Sequence, residues 1–296
     1  MRSPWLPRTV LATAICLASS CGSDSTIAED PEPVTTTTTQ LSSPQTSTAD
    51  DAGVEPLTGS IQYTVVGSYP HDSAAFTQGL EFVGDQLYES TGRRGESDRR
   101  ITDPETGEVL ALVPLDQALF GEGMTERDGR LYQLTFTSGQ LLISDTESLA
   151  EVATPVRYDG EGWGLCVNEA EPARPFVMSN GTAQLTIRDA ESFQTQRTVT
   201  VVDGAGSPVE LLNELECLDG WVLANVWRSD IIVAIDLMSG AVIGVLDLSD
   251  LVPTELDNDG AVLNGIAYRA ETDTFFVTGK LWPVTYELRL SSSSAG

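Results

Sequence analysis

The segment Phe120-Gly121-Glu122-Gly123-Met124 is one of five similar segments that recur along this chain. The other four are Phe76-Thr77-Gln78-Gly79-Leu80, Glu161-Gly162-Trp163-Gly164-Leu165, Leu212-Asn213-Glu214-Leu215 and Leu263-Asn264-Gly265-Ile266. Once they are aligned, spacings of 44, 41, 50 and 51 residues separate the members of one column, which are Gln78, Glu122, Trp163, Asn213 and Asn264. A repeat of this length is typical of β-units arranged around a common axis.

Each recurring segment is followed by a second strand, at residues 86–90, 130–134, 175–179, 221–225 and 274–278. In the middle three units a third strand leads to an aspartate turn and a fourth strand, most clearly at residues 141–145 and 231–236. Four strands in roughly 40–50 residues make one blade of a β-propeller. The sequence therefore predicts an all-β, five-bladed β-propeller, since an irregular β-sandwich would not produce the repeated column.

The two ends of the repeat array predict how the ring closes. The last unit ends after its third strand, at residues 284–288, and an orphan strand at residues 62–66 precedes the first unit. We expect this N-terminal strand to supply the fourth strand of the last blade and so to close the ring.

The remaining sequence predicts an exported protein on a tether. Residues 1–20 have two arginines, a short apolar run and small residues before Cys21, as in a lipoprotein-type signal peptide. Residues 21–60 are rich in Thr, Ser, Pro and acids and predict a disordered tether, followed by the propeller at 61–290 and a disordered tail at 291–296. We expect lipidation at Cys21 and anchoring on the extracytoplasmic face of a bacterial cell, with plain secretion as the alternative.

Composition excludes several classes of function. The chain has 44 acidic and 16 basic residues and a formal charge of -28, which disfavours binding to nucleic acid or to anionic lipid surfaces. The only histidine is His71, so a site that needs two imidazoles, such as an HExxH zinc centre, is excluded. We expect a monomer that needs no cofactor or metal and meets the membrane only through its lipid anchor.

The aligned column implies a polar site at the centre of the ring, because the first strand of each propeller blade lines the central channel. Glu122 would lie beside Phe120 and Trp163, and loss of water raises the pKa of a carboxyl group towards the working range of a general acid or base. The column adds uncharged donors and acceptors from Gln78, Asn213 and Asn264.

Lys280 is the only lysine in the chain, whereas all the other basic residues are arginine. Both Lys280 and Trp227 follow second strands, so we expect them in loops at one end of the blades, where propeller pockets lie. Gly279 and Trp282 flank Lys280, a setting in which an ammonium group is held against an aromatic surface. A solvated surface position would accept arginine, and we therefore assign Lys280 to the site.

Simpler structural roles remain open for several of these side chains. Trp163 and Trp227 would equally suit the core, and Asn213 and Asn264 would suit bonding to backbone groups where blades meet. His71 is expected in a loop. Solvated turns are expected for five acidic residues, which are Glu96, Asp98, Glu255, Asp257 and Asp259.

Cys166 and Cys217 follow the column at nearly equivalent positions in consecutive units. Equivalent positions in neighbouring blades face the same rotational direction, so the two thiols need not meet. We therefore favour two buried free thiols over a disulfide, although an exported protein would oxidise two cysteines that did meet.

Eight motifs carry a resemblance to a known family. They are Phe76-Thr77-Gln78-Gly79-Leu80, Glu89-Ser90-Thr91-Gly92, Phe120-Gly121-Glu122-Gly123, Gly162-Trp163-Gly164-Leu165, Leu212-Asn213-Glu214-Leu215-Glu216, Ala224-Asn225-Val226-Trp227, Leu263-Asn264-Gly265-Ile266-Ala267-Tyr268 and Thr278-Gly279-Lys280-Leu281-Trp282-Pro283. In this order the motifs resemble the plant and bacterial type of glutaminyl-peptide cyclotransferase, over essentially residues 61–290. The resemblance implies a five-bladed propeller that converts the N-terminal glutamine of a peptide or protein into pyroglutamate, releases ammonia and uses no metal.

The resemblance also implies roles for individual residues. It places the pocket of the family at Phe76, Gln78, Phe120, Glu122, Trp163, Asn213, Trp227 and Lys280. Our own hypothesis for the catalytic residues is that Glu122 carries the proton, while Lys280 and Asn213, together with Gln78, orient the carboxamide and stabilise the oxyanion. Phe136 stands where the plant sequences have a further pocket tryptophan, which keeps the wall aromatic but removes an indole N–H donor.

Two other functions fit the same residues. A calcium-dependent, lactonase-like propeller would use Glu122, Asn213 and Asn264 as hard oxygen ligands on one axis. A non-catalytic binding propeller on a lipid tether is the second alternative.

Overall fold

The computed structural model describes residues 54–256 and 258–293. In this part of the chain, every regular element is a β-strand except one short turn of 3₁₀-helix at Ser249–Leu251, so the predicted all-β fold is confirmed. No helix there is long and apolar enough to cross a membrane. The predicted signal peptide at 1–20 and the lipidation site Cys21 lie outside the described residues.

The strands follow one another along the chain with short connections. The first ten are β1 (Gly59–Pro70), β2 (Thr77–Val83), β3 (Gln86–Thr91), β4 (Asp98–Thr102), β5 (Val109–Pro114), β6 (Gly121–Arg127), β7 (Arg130–Thr135), β8 (Gln140–Asp145), β9 (Val156–Arg157) and β10 (Leu165–Val167). The next ten are β11 (Phe176–Met178), β12 (Gln184–Arg188), β13 (Thr195–Thr200), β14 (Leu212–Leu218), β15 (Trp221–Val226), β16 (Ile231–Asp236), β17 (Val242–Asp247), β18 (Leu263–Arg269), β19 (Thr274–Gly279) and β20 (Val284–Ser292).

These strands form antiparallel groups of four. The strands β2 to β5, β6 to β9 and β10 to β13 each make a four-stranded sheet in chain order. The remaining eight strands form one sheet in the order β14-β15-β16-β17-β1-β20-β19-β18. This larger sheet consists of two further groups of four, because β17 and β1 share only three residue pairs.

The N-terminal strand joins the end of the chain to its beginning. Residues 61–70 of β1 pair antiparallel with β20, so the predicted pairing of this strand with the last unit is confirmed. The continuous eight-stranded sheet is a difference from the prediction. It arises because residues 59–61 also pair, in the parallel sense, with residues 244–246 of β17 in the preceding unit.

The first strands of the five groups contact one another in a closed cycle, from β2 to β6, β10, β14, β18 and back to β2. Glycine in the recurring segment permits this close approach. A Cβ atom added to Gly79 would lie 2.6 Å from the backbone nitrogen of Met124, and one added to Gly123 would lie 2.5 Å from that of Leu165. The close packing of one unit against the next therefore requires glycine at these positions of the motif.

The core lies between the groups of strands and extends further towards the N-terminus than predicted. Trp221 donates its indole N–H to the Val54 carbonyl at 3.0 Å, and Val54 and Leu57 pack on the core of the last two units. Within the segment predicted as a tether, residues 54 and 57 thus pack their apolar side chains against the core. At the other end, β20 continues to Ser292 and so overlaps the predicted tail.

Cys166 and Cys217 form a disulfide, with their Cα atoms 5.5 Å apart. The expectation of two free thiols is wrong. Cys166 lies on β10 and Cys217 on β14, and these two first strands contact each other directly near the centre of the molecule. Where the first strands contact each other, equivalent positions in consecutive units are neighbours. The two sulfur atoms therefore meet, although each side chain has the same orientation within its own unit.

Candidate active site

The side chains of the aligned column leave their strands at β-bulges. The pairing register of the first strand shifts across Gln78, across Glu122, across Asn213 and across Asn264. A bulge interrupts the ladder and redirects a side chain, which is why bulges are frequent beside active sites. Trp163 occupies the corresponding position just before the short strand β10.

Hydroxyl and amide groups from second strands hold these bulges in place across the boundary between units. Ser90 donates to the carbonyl of Glu122 at 2.5 Å, and Ser179 donates to the carbonyl of Asn213 at 2.6 Å. The Asn225 side chain accepts the backbone N–H of Gly265 at 3.1 Å. These three residues were not predicted as site residues, although each occupies the last position of a second strand predicted from the sequence, at 86–90, 175–179 and 221–225.

A cavity of about 360 Å³ lies at this end of the first strands. It brings together nearly all of the predicted site residues: Phe76, Gln78, Phe120, Glu122, Phe136, Trp163, Asn213, Trp227 and Lys280. Its volume falls in the range of pockets that hold small ligands. The cavity also includes Arg228, Asp259 and Gly260, which were not predicted as lining residues.

Aromatic rings form a continuous wall around this cavity. The ring centroids of successive neighbours lie 5.4 to 6.4 Å apart, in the order Phe76, Phe120, Phe136, Trp163 and Trp227. Such separations are those of packed aromatic pairs. Phe136 thus occupies the middle of the wall.

The Glu122 carboxyl group faces the cavity from a buried position, with only 4% of the residue exposed. Burial raises the pKa of Glu122 well above its ordinary value of 4.5. The Lys280 ammonium opposes this rise, and Glu161 adds to it. This direction of shift brings a carboxyl group closer to the pH range in which general acids and bases work.

Lys280 reaches the same cavity from the turn after β19 and is also 4% exposed. Its ammonium group donates to the Gln78 side-chain oxygen and lies 4.9 Å from the centroid of the Phe76 ring. Burial lowers the pKa of Lys280 to about 8, against the opposing effects of Glu122 and Glu214. The aromatic partner is thus Phe76 and not Trp282, which is fully buried in the core.

The two predicted asparagines have different environments. Asn213 lines the cavity, and its side-chain oxygen has no hydrogen-bond partner among the described residues. A buried acceptor without a partner is costly and suits a ligand that brings an N–H group. Asn264 does not line the cavity. Its amide donates to the Thr77 carbonyl at 3.0 Å and lies 3.5 Å from Gln78 Oε1, so it supports Gln78 from behind.

A second cavity, of about 650 Å³, lies at the opposite end of the first strands. Its charged lining is acidic, with Glu81, Glu126, Glu169, Glu216 and Asp219. Burial raises the pKa of Glu81 to about 8, and neighbouring carboxylates add to this effect. No group of three or more His, Cys, Asp or Glu side chains suited to a metal ion occurs within residues 54–256 and 258–293.

The raised pKa of Glu81 predicts a pH-dependent stability. Between its ordinary pKa of 4.5 and about 8, the folded protein holds a proton that the unfolded chain releases. The free energy of unfolding should therefore fall as the pH rises through this window. We expect Glu81→Gln to raise the midpoint of thermal unfolding at pH 8 and to have little effect at pH 4.5. The exposed Glu191→Gln is the control, and equal shifts in both variants would contradict the assignment.

Comparison with known proteins gives three concordant results. The sequence matches the family model described as glutamine cyclotransferase over residues 33–290. A glutaminyl-peptide cyclotransferase of Arabidopsis thaliana is 38% identical over 235 residues, which are 78% of this chain and 72% of that protein. The crystal structure of Myxococcus xanthus glutaminyl cyclase matches with a TM-score of 0.73 at 37% identity, covering 81% of this chain and 100% of that one.

Proposed function

Because this chain belongs to the glutamine cyclotransferase family, we propose that the aromatic-walled cavity is the site where it cyclises glutamine. The enzyme converts the N-terminal glutamine of a peptide or protein into pyroglutamate and releases ammonia. The observation that carries the assignment of the site is that Glu122 and Lys280 line one buried cavity. This family membership also decides against the calcium-dependent lactonase and the non-catalytic binding protein as alternatives.

The reaction is an intramolecular nucleophilic attack within the substrate. The α-amino nitrogen forms a bond to the carbon of the side-chain carboxamide, and the bond from that carbon to its amide nitrogen breaks. The attacking nitrogen must lose a proton, and the departing nitrogen must gain one to leave as ammonia. The Glu122 carboxylate takes the first proton from the attacking amine and delivers it to the leaving nitrogen, so the carboxylate is restored at the end of each turnover.

The polar groups around Glu122 orient the substrate. The free oxygen of Asn213 accepts a hydrogen bond from an N–H group of the substrate, either the amine or the carboxamide. Lys280 donates a hydrogen bond to the carboxamide oxygen as negative charge develops there. Gln78 bonds to Lys280 and fixes the direction of its ammonium group.

The aromatic wall lowers the entropic part of the barrier. A glutamine side chain has several rotatable bonds, and only a folded conformation brings its carboxamide to the α-amine. Rings spaced 5.4 to 6.4 Å apart leave a narrow apolar space that holds this conformation. The wall also excludes water, which strengthens the electrostatic interactions of Glu122 and Lys280.

For the architecture, we propose that the five groups of four strands are the blades of a five-bladed propeller. The closed cycle of contacts among the first strands supports this arrangement, as does the pairing of β1 with β20. The aligned column then surrounds the axis at one end of the central channel. This placement explains why residues separated by up to 51 positions in sequence line one cavity.

For the location, we propose export, with a lipid anchor at Cys21 as the means of retention. The signal-like sequence at 1–20 supports the proposal. The disulfide between Cys166 and Cys217 supports it independently, because such bonds persist mainly in oxidising compartments. We also propose that the enzyme acts as a monomer.

The activity is tested by incubating the purified protein with a glutaminyl dipeptide and measuring ammonia together with the cyclised product. We expect equal amounts of ammonia and pyroglutamyl peptide, and no reaction when the α-amine of the same peptide is acetylated. Ammonia release from the acetylated peptide would indicate simple amide hydrolysis, and no release from either peptide would reject the function.

A further inference from the structure

His71, the only histidine of the chain, lies in the loop between β1 and β2, outside the cavity. Its side chain is 8% exposed, and both ring nitrogens face acceptors. Nδ1 lies 2.7 Å from the carbonyl oxygen of Trp282, and Nε2 lies 3.2 Å from Oε1 of Glu89. Neutral imidazole has one N–H donor, so beside an ionised Glu89 only the imidazolium form satisfies both contacts.

The charges around His71 also favour the imidazolium. Glu89 on β3 and Asp72 in the same loop face it, and β4 adds Arg100 and Asp98. Asp98 is buried on this strand, so the expected solvated turn is wrong for this residue. Arg100 contacts Asp72 at 2.8 Å and Asp98 at 2.5 Å, which leaves Glu89 for His71. Burial alone would lower the pKa of His71, but Glu89, the Trp282 carbonyl and Asp72 together raise it.

Other charged and polar groups near this cluster have partners of their own. Thr77 on β2 donates to Glu89 at 2.7 Å, which helps to keep that carboxyl group ionised. Asp103, in the turn after β4, accepts the backbone N–H groups of its own turn at Glu105 and Thr106. Glu89 is therefore the carboxylate that is paired directly with the imidazolium.

The segment that His71 contacts is the turn that carries Lys280. His71 bonds to this turn through its ring and also donates its backbone N–H to the Pro283 carbonyl at 3.0 Å. Leu281 has a φ of 60° in this turn, a left-handed conformation that is unfavourable for a leucine. The backbone N–H of Leu281 donates to the Ala75 carbonyl at 2.7 Å. The strained turn is thus fixed from outside by the loop that contains His71.

We propose that His71 is a positioning residue that, as an imidazolium bridging Glu89 and the Trp282 carbonyl, holds the Lys280 ammonium group at the substrate. This inference rests on the proposed function of the cavity. Loss of the proton removes one of the two ring contacts, so the turn loosens and Lys280 moves towards solvent. Activity then depends on a histidine that never touches the substrate.

The first test needs no activity, because the chain has one histidine and one lysine. In protein made without a histidine tag and with ¹⁵N-labelled histidine and lysine, NMR observes each side chain as a single titrating group. We expect both nitrogens of His71 to carry protons at pH 7 in the substrate-free enzyme. A neutral imidazole at that pH would overturn the proposal.

Variants test the link to Lys280. His71→Ala should lower kcat on the order of tenfold to a hundredfold with a smaller change in KM, because catalytic groups are misplaced rather than lost. The pKa of Lys280 should rise towards its ordinary value of 10.5 as the amine gains solvent. His71→Asn, whose amide can donate to the Trp282 carbonyl but forms no charged pair with Glu89, should have a kcat between those of His71→Ala and the wild type.

Glu89→Gln separates positioning from folding. The variant keeps a polar partner for His71 but removes the negative charge, so the pKa of His71 should fall, and kcat should be lost at a lower pH than in the wild type. Glu105→Gln, at an exposed carboxylate in a nearby turn, is the matched control and should change neither. If His71→Ala and Glu89→Gln lower only the unfolding temperature, leaving kcat and the pKa of Lys280 unchanged, the role is purely structural and the proposal is wrong. The two titrations decide this even if the wild type releases no ammonia.

Discussion

The Glu122→Gln variant is expected to release ammonia from a glutaminyl dipeptide about 10²- to 10⁴-fold more slowly than the wild type, the usual contribution of a positioned general acid–base. Glutamine preserves the shape of the side chain and its packing in the cavity. It cannot take a proton from the α-amine or return one to the leaving nitrogen. The loss should therefore appear in kcat, with KM changed much less, and single-turnover measurements would show it in the chemical step.

The same variant should be at least as stable as the wild type. The pKa of Glu122 is raised well above 4.5, so the folded protein resists ionising this group while the unfolded chain ionises it freely. That group's contribution to the free energy of unfolding is complete below pH 4.5 and is lost as the pH rises through the raised pKa. Glutamine does not ionise, so the variant does not lose this stability as the pH rises. Its unfolding temperature at pH 8 should therefore not be lower than that of the wild type.

Glu126→Gln is the matched control for Glu122→Gln. Glu126 lies on the same strand, β6, but at its opposite end, beside the second cavity. It should retain normal turnover. Unchanged turnover in Glu122→Gln, or an equal loss in both variants, would refute Glu122 as the proton carrier.

The Lys280→Met variant is expected to lower kcat/KM about 10²- to 10³-fold, the typical effect of removing one donor that stabilises a developing oxyanion. Methionine retains most of the aliphatic chain beside Phe76 but has no charge and no donor. Ammonia release across a range of dipeptide concentrations measures this loss. Arg289→Met removes a cationic side chain from an exposed position on β20 and should leave kcat/KM unchanged.

Stability should respond to Lys280→Met in the opposite direction from activity. A lysine whose pKa falls from 10.5 to about 8 on folding destabilises the protein fully below pH 8, and this cost disappears as the pH rises to 10.5. We therefore expect Lys280→Met to unfold at a higher temperature than the wild type at pH 7, with the difference shrinking towards pH 10. A lower unfolding temperature at pH 7 would contradict the account of Lys280 as a buried amine held at a cost for function.

Much of the fold and of the site could be predicted because the recurring segment marks the same position in each of the repeated units. The aligned column identified Gln78, Glu122, Trp163 and Asn213 as neighbours although 41 to 50 residues separate consecutive members. Lys280 was identified because it is the only lysine in the chain, and because arginine cannot take the role of a buried amine.

The features that were not predicted depend on distances in three dimensions, which the spacing of residues along the sequence does not give. Asn264 shares the column but lies behind Gln78, because its amide is taken up by Thr77. The disulfide between Cys166 and Cys217 depends on the separation of two first strands near the centre, which symmetry alone does not specify. Arg228 and Asp259 line the cavity from loops, whose conformation the repeat does not specify.

The central claim is that Glu122 and Lys280 are electrostatically coupled in one water-poor cavity. The most direct test is the pKa of the single lysine, measured by ¹⁵N NMR in the wild type and in Glu122→Gln without substrate. We predict about 8 in the wild type and a clearly lower pKa in the variant, because the carboxylate that favours the ammonium form is gone. A pKa near 10.5 in the wild type, or an identical value in both proteins, would show that the two groups do not share such a site.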